Sequence, residues 1–197
     1  MQQPKSPGQI IILNGTSSAG KTSIAKALQD VMDEVYIETG LDRFIWMMPS
    51  RYLRLPLWND VLGHATHAGE AGHHMVSGMH HAIAGLSRSG MNVVADHVMV
   101  EPAWVQECAE LFSELPALFV GVRCELETLE QREKDRKDRT LGQAKAQYDL
   151  VHAHTVYDLE VDTANNSTEA CVQQIVDYLQ SNQPISAFKK LNNHSNE

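Results

Sequence analysis

The chain has 197 residues, 43% of them hydrophobic, and a formal net charge of −9 at neutral pH, which fits one domain with a substantial core. The acidic balance argues against a general nucleic-acid or anionic-membrane surface, because such partners favour a basic face. Three widely spaced cysteines without a C-x-x-C motif, and no apolar run of signal-peptide or membrane-spanning length, predict a reduced cytoplasmic location.

The first predicted unit is a strand, a glycine-rich loop and a helix. An apolar run ending at Asn14 predicts the strand, and helical spacing of apolar residues predicts the helix from about Lys21. The phosphate-loop pattern G-x-x-x-x-G-K-[ST] begins after the strand, at Gly15, and ends in the first turn of the helix, at Thr22. In such a loop, backbone N–H groups hold phosphate oxygens, the lysine adds a mobile charge, and the hydroxyl that follows binds Mg²⁺. We predict ATP as the bound nucleotide, Mg²⁺ as its companion at Thr22, and the following ATP-binding residues: Gly15, Thr16, Ser17, Ser18, Ala19, Gly20, Lys21, Thr22 and Ser23.

Four more short apolar strands follow, with helical patterns between them. The strands are predicted at 35–38, 91–96, 118–122 and 159–162. Their alternation with helices predicts an α/β fold with five parallel strands and helices on both faces. We expect one domain over residues 1–181 and a polar, poorly ordered tail over 182–197. The intervening predictions are a helical turn at 44–48, a loop at 49–63, and helices at about 66–87, from Pro102, from Glu125, from Gly142 to His152, and at 169–179 after a Ser167 cap.

Two aspartates stand where predicted strands end, which is where ligands bind in open parallel sheets. Asp42 follows the second strand by a short turn, and Asp96 ends the third. Asp96 is suited to hold Mg²⁺ together with Thr22, whereas Asp42 is suited to take a proton from an acceptor hydroxyl. The alternative is that each aspartate merely caps the next helix; the phosphate loop favours the functional interpretation.

An arginine-rich segment interrupts the otherwise acidic chain. Arg132, Arg136 and Arg139 fall within eight positions. Because guanidinium groups pair with phosphate oxygens, we predict a mobile lid at about 132–142. Arg132 is predicted to bind the nucleotide, and Arg136 and Arg139 to stabilise the charge in transfer. A solvated helix with Glu/Lys and Asp/Arg pairs is the alternative.

Six histidines fall within residues 64–81. Two pairs are seven residues apart, a spacing poorly placed to chelate one ion, and neither a cysteine nor an H-E-x-x-H motif accompanies them. The pattern favours a wet helix face over a zinc site, although contact of one or two rings with an acceptor stays open. The histidines are His64, His67, His73, His74, His80 and His81.

Five segments occur in a characteristic order: Ile-Ile-Leu-Asn-Gly-Thr-Ser-Ser-Ala-Gly-Lys-Thr-Ser (11–23), Gly-Leu-Asp (40–42), Gly-Val-Arg-Cys (121–124), Arg-Glu-x-x-Arg-x-Asp-Arg (132–139) and Tyr-Asp-Leu-Glu-Val-Asp-Thr (157–163). Together they resemble the chloramphenicol phosphotransferase family. The resemblance implies a P-loop NTPase fold, a nucleoside/shikimate-kinase-like three-layer sandwich. It also implies phosphorylation of a small-molecule hydroxyl, with Asp42 as base and Arg136 and Arg139 in the lid. The family pattern has two consecutive aspartates where this chain has Asp96 and His97, and residues 43–81 show little resemblance.

These observations predict an ATP-dependent phosphotransferase acting on a small-molecule hydroxyl, with chloramphenicol or a related antibiotic as the acceptor that the resemblance suggests. A nucleoside or nucleotide kinase is the alternative enzyme; its acceptor site would bind a base and, for a nucleotide, a phosphate, for which Arg43, Arg51 and Arg54 are available. A nucleotide-dependent switch without acceptor chemistry is the alternative of another class. Assembly into a homo-oligomer is left open.

Overall fold

The computed structural model describes residues 6–62, 66–136, 141–181 and 183–194. Within these ranges the strands are β1 (Ile10–Asn14), β2 (Tyr36–Gly40), β3 (Asn92–His97), β4 (Ala117–Arg123) and β5 (Leu159–Asp162). The helices in the same ranges are α1 (Lys21–Val31), α2 (Leu41–Met47), α3 (Trp58–Val61), α4 (Glu70–Arg88), α5 (Pro102–Phe112), α6 (Leu126–Asp135), α7 (Gln143–Gln147), α8 (Thr168–Gln180) and α9 (Ala187–His194).

The five strands form one parallel sheet in the order β2-β3-β1-β4-β5. β1 is therefore central, with Asn14 level with His97 of β3 on one side and Gly121 of β4 on the other. Because all strands point the same way, the residues that follow β1, β2 and β3 emerge at one edge of the sheet. The predicted α/β fold with a five-stranded parallel sheet is confirmed.

Alternate residues of β1 enter two separate cores. Ile10 and Ile12 pack with α4, α5 and α9 on one face, whereas Ile11 and Leu13 pack with α1 and α8 on the other. Strands buried on both faces are continuous apolar runs, which is why the pattern in the sequence identified them. The result is a three-layer sandwich with the sheet in the middle. Among the described helices, none has the length and apolar character needed to cross a bilayer.

Two predicted helical boundaries differ from the structure. The segment predicted as a loop at 49–63 contains the short helix α3, and the helix predicted to reach His152 ends at Gln147. Val151 explains the second difference, because its side chain is fully buried and its carbonyl oxygen accepts from Asn14 Nδ2 at 2.8 Å. This tertiary contact holds Val151 in a position that a continued helix would not reach, so the helix ends at Gln147.

The prediction of a polar, poorly ordered tail is wrong for residues 187–194, which form α9. Phe188 is buried and stacks on Phe119, with ring centroids 4.6 Å apart. Asp158 Oδ1 accepts from the backbone N–H groups of Ser186 (2.7 Å) and Ala187 (2.8 Å), which satisfies donors at the helix start. The residues around Phe188 are mostly polar, so the sequence did not predict that this segment packs against the sheet.

Candidate active site

The predicted phosphate loop connects β1 to α1 and curls around its own lysine. Lys21 is buried, and its Nζ donates to the carbonyl oxygens of Gly15 (2.8 Å) and Thr16 (2.7 Å). The curl requires positive φ at Gly20 (89°) and also at Ser18 (63°), where a side chain makes it costly. The Ser18 hydroxyl is buried without a hydrogen-bond partner among the described residues. A strained loop with an unsatisfied polar group fits a cradle shaped for an anion.

Asp96 and Thr22, both predicted as metal ligands, are brought together by the fold. Thr22 Oγ1 donates to Asp96 Oδ2 at 2.6 Å. Burial raises the pKa of Asp96, and the Lys21 charge and the Thr22 hydrogen bond oppose the increase. The neighbouring strand leaves room for this carboxylate only because residue 40 is a glycine: a Cβ on Gly40 would lie 2.0 Å from Asp96 Oδ1.

Asp42, the predicted base, lies in the first turn of α2 and lines the same cavity as Asp96 and Lys21. Its negative charge is among the influences that raise the pKa of Asp96, after burial itself. The two strand-end aspartates therefore face one space, as their positions in the sequence predicted.

This cavity has a volume of about 740 Å³ and is here named the chamber. The phosphate loop, Asp42 and Asp96 line it together with further polar side chains, among them His67, His97, Arg136 and Gln147, and the rest of its lining is apolar. Trp46 is 75% exposed and Leu55 is 73% exposed, so the chamber opens to solvent through an apolar mouth. The apolar walls include Ile45, Trp46, Leu55, Trp58, Val98 and Trp104.

The three predicted lid arginines have different outcomes. Arg136 lines the chamber, whereas Arg139 lies outside the described residues. Arg132 contacts the loop after β5, where its Nη2 donates to the carbonyl of Thr163 (2.7 Å) and its Nη1 to the Thr163 hydroxyl (3.1 Å). Thr163 in turn donates to the carbonyl of Ala19 at 2.9 Å. Arg132 thus holds the β5 loop against the phosphate loop.

His97, the residue next to Asp96, ends a chain of three hydrogen-bonded side chains, of which the two histidines are buried and Glu107 is partly exposed. His97 Nδ1 accepts from the backbone N–H of Val98 at 2.7 Å, so the proton of a neutral His97 ring is on Nε2. That nitrogen lies 2.8 Å from His80 Nε2, which must therefore accept. His80 Nδ1 then donates to Glu107 Oε2 at 2.5 Å. Burial, with the neighbouring His80 and Lys21 charges, holds the pKa of His97 well below its usual range.

The two engaged nitrogens define what His97 can do in the chamber, which its ring lines. Neither nitrogen is available as a proton acceptor for a bound molecule, since one accepts from Val98 and the other donates to His80. His97 is therefore a wall residue whose orientation is set by His80 and Glu107.

The prediction of a wet histidine face is wrong for His80, which is fully buried. Its partners lie on β3 and α5, so periodicity within α4 could not reveal them. His74 and His81 are exposed, as predicted, while His73 contacts Glu101 and Trp104. His67 lines the chamber, and His64 lies outside the described residues. Over the part of the chain that the structure describes, no group of three or more His, Cys, Asp or Glu residues is arranged to hold a metal ion.

Two polar residues near the loop escaped the sequence analysis. Asn14 ends β1 and joins three segments: its amide donates to Val151 and Tyr157, and its oxygen accepts from Met99 N–H, each at 2.8 Å. A polar residue ending an apolar strand was a usable signal. Gln147, whose Oε1 accepts from Ser17 N–H at 2.8 Å, had none, because 130 residues separate the partners.

A parallel sheet in this order, with a phosphate loop after its central strand, defines a P-loop kinase fold. Solved structures with this fold include a sugar kinase from Janibacter sp. HTCC2649 (TM-score 0.66, 14% identity, covering 91% of this chain and 99% of the other). Shikimate kinase from Acinetobacter baumannii, in complex with shikimate, has a TM-score of 0.60 at 15% identity and covers 90% and 96% of the two chains. At these identities the likeness establishes the fold alone.

The chain belongs to the chloramphenicol phosphotransferase-like family, whose model matches residues 8–180. A Mycobacterium tuberculosis protein named "Putative O-phosphotransferase" is 29% identical, covering 93% of this chain and 88% of the relative. The family and the site together support a kinase-like phosphotransferase of small molecules. The predicted family resemblance is confirmed.

Proposed function

We propose that the chain is an ATP-dependent O-phosphotransferase that moves the γ-phosphoryl group to a hydroxyl of a small molecule. One observation carries the proposal: a phosphate loop, the Thr22–Asp96 pair and a second carboxylate, Asp42, face a single chamber. Phosphoryl transfer requires a phosphate cradle, oxygen ligands for a metal ion, and a group that orients the attacking hydroxyl. The chamber supplies a candidate for each.

The donor half of the reaction is assigned to the loop and α1. Lys21 and the N–H groups of residues 15–23 would hold the β- and γ-phosphates. Thr22 and Asp96 form the all-oxygen pair that suits Mg²⁺, which when bound offsets negative charge on the phosphates. Arg136, at the chamber, and Arg139 are proposed to stabilise the charge that develops during transfer.

The acceptor half of the reaction is assigned to Asp42. An acceptor oxygen forms a bond to the γ-phosphorus as the bond to the bridging oxygen breaks, ADP leaves, and the hydroxyl proton passes to the Asp42 carboxylate. His97 cannot take this proton, because both of its ring nitrogens are engaged.

The chamber walls favour a neutral acceptor with an apolar body, and chloramphenicol or a related antibiotic is the first class we propose. A nucleotide acceptor would need cations for its phosphate. Arg43 instead pairs with Glu38 at 2.5 Å, and Arg51 lies over the Tyr52 ring. In the described chain, neither of these nor Arg54 lines the chamber. A switch without acceptor chemistry would not need apolar walls beside the phosphate loop.

The test is ATP consumption by purified protein with Mg²⁺, alone and with hydroxylated antibiotics, nucleosides and sugars, with product mass checked for an added phosphoryl group. Lys21→Ala serves as the inactive control. A phosphorylated antibiotic supports the proposal, whereas a phosphorylated nucleoside moves the assignment to the alternative kinase. Nucleotide binding without transfer to any acceptor contradicts the proposed reaction.

A further inference from the structure

A side chain from outside the phosphate loop engages one of the loop's backbone N–H groups. Ser17 N donates to Oε1 of Gln147 at 2.8 Å. Gln147 is the last residue of α7, is buried, and lines the chamber beside Ser17 and Lys21. An amide oxygen therefore accepts from a group that, in a phosphate loop, is placed to donate to phosphate.

The position of Gln147 is set by a buried carboxylate of α6. Glu133 Oε2 accepts from Gly142 N–H and Oε1 accepts from Ala144 N–H, both at 2.7 Å. These are backbone donors at the start of α7 that lack partners within the helix. Because the helix is short, holding its start also fixes how far Gln147 reaches from its end.

α6 also contacts the phosphate loop by a second route. Arg132, next to Glu133, binds Thr163, whose hydroxyl donates to Ala19 of the loop. Arg136, one residue beyond the helix, lines the chamber. The α6–α7 pair therefore contacts the loop at two points and carries an arginine to the chamber.

From this geometry we propose that Gln147 is a built-in competitor for phosphate. Its oxygen occupies the Ser17 N–H when no nucleotide is bound and gives this group up to a phosphate oxygen when a nucleotide enters. The proposal rests on the proposed function, since it requires a nucleotide in the loop. Because α7 carries Gln147 and is joined to α6 through Glu133, the exchange couples phosphate occupancy to the segment that carries Arg136.

Calorimetric titration with ADP and with inorganic pyrophosphate measures this competition without any acceptor. Gln147→Met removes the acceptor oxygen at similar side-chain length, and Gln147→Ala removes the reach as well. Both variants should bind either probe about fivefold more tightly, since one net hydrogen bond no longer has to be broken. Gln147→Glu should bind more weakly, because it places a carboxylate near the phosphates. Gln131→Ala, on the exposed face of α6, is the matched control and should bind as the unchanged chain does.

Amide hydrogen exchange tests the contact itself in the absence of any ligand. Ser17 N–H should exchange at least about fivefold faster in Gln147→Met than in the unchanged chain, and at the unchanged rate in Gln131→Ala. Equal exchange, or equal or weaker pyrophosphate binding by both Gln147→Met and Gln147→Ala, would overturn the competitor role. If the unchanged chain binds neither probe, the proposed function and the competitor role both fall, and the exchange data then report only whether the contact exists.

Discussion

The phosphate-loop side of the candidate site is polar and densely hydrogen-bonded, whereas the chamber wall is apolar and open. On the first side, Thr163 contacts Ala19 and Gln147 contacts Ser17, so segments distant in sequence support the phosphate loop. On the second, Trp46 and Leu55 leave an apolar mouth facing solvent. The contrast follows from chemistry, because phosphate demands many oriented donors, while an apolar body needs only shape and excluded water.

One polar residue of the chamber wall, His97, has its hydrogen bonds directed into the protein. His97 lines the chamber, but the hydrogen bonds that orient its ring run away from the chamber to His80 and Glu107. The phosphate-loop side thus presents polar groups to a ligand, whereas the ring nitrogens of His97 support the wall. Changes on the two sides should therefore affect different properties.

The largest expected effect comes from Asp42→Asn, which removes the proposed base and leaves the loop intact. We expect kcat to fall by a factor of about 10²–10⁴, with the KM for ATP changing less than about twofold because Asp42 is not assigned to nucleotide binding. Steady-state kinetics with varied ATP measures both. The control is Asp30→Asn on the exposed face of α1, and near-normal kcat in Asp42→Asn would remove the assignment.

A large effect on stability is expected from His80→Ala, which leaves Glu107 and His97 without their shared partner. The free energy of unfolding should fall by about 2–4 kcal/mol, the range for breaking a buried polar network. Urea denaturation measures the change. His74→Ala makes the same substitution at an exposed position of α4 and should change stability by less than about 0.5 kcal/mol. Equal effects at the two positions would show that the chain from Glu107 through His80 to His97 contributes nothing to stability.

A smaller change, in the stabilising direction, is expected from Asp96→Asn without metal or nucleotide. Burial raises the pKa of Asp96, so its ionised form is penalised in the folded state at neutral pH, and asparagine keeps an oxygen for Thr22 without that penalty. An increase of about 1 kcal/mol would raise Tm by about 2–4 °C, while transfer should be lost. Calorimetry of the ligand-free protein tests this.

Asp162→Asn is the matched contrast for that measurement. Hydrogen bonds from Asn165 and the backbone lower the pKa of Asp162, so its ionised form is favoured in the folded state. Its replacement should leave Tm unchanged or lower. A lower Tm in Asp96→Asn as well would mean that burial of the Asp96 carboxylate does not destabilise the fold.

The effect expected to be smallest at neutral pH concerns the pH dependence of stability. Burial, with the Arg123 charge, lowers the pKa of His152 to about 4, whereas an exposed histidine has a pKa of about 6.5. The unfolded chain therefore binds a proton that the folded chain refuses, so stability should fall as pH is lowered from about 6.5 to about 4. His152→Gln should flatten this decline, and His154→Gln, at an exposed position, should not. Denaturant midpoints at stepped pH values give both slopes, and identical slopes in all three proteins would contradict the shift.

Much of the fold could be predicted, because its signals are local. Apolar runs marked strands buried on both faces, and the loop motif stood between a strand and a helix. Asp42 and Asp96 were found by a topological argument, since the ends of parallel strands meet at one edge. Asn14 also ends a parallel strand, so it could have been identified in the same way; in the structure it joins three segments.

The errors share a physical origin in partners that are far apart in sequence. His80 is fully buried because it meets His97 of β3 and Glu107 of α5. The segment around Phe188, predicted as a polar tail, is a packed helix because Phe188 stacks on Phe119 of β4. The contact of Arg132 with Thr163 was hidden in the same way, and the role of Arg132 in nucleotide binding stays a prediction. In each case the residue type was read correctly, but the partners that surround the residue in the fold could not be predicted from nearby sequence.

By itself the sequence determined the phosphate loop, the strands and the two strand-end aspartates, since each depends on residue types within a few positions of one another. Only the tertiary structure decided that Gln147 reaches Ser17, that His97 has no nitrogen left for a ligand, and that apolar segments on either side of Asp96 close into one chamber. Those outcomes depend on which side chains meet when helices cover the two faces of the sheet. Such contacts join residues that are far apart in sequence, so they form only when the whole chain is folded.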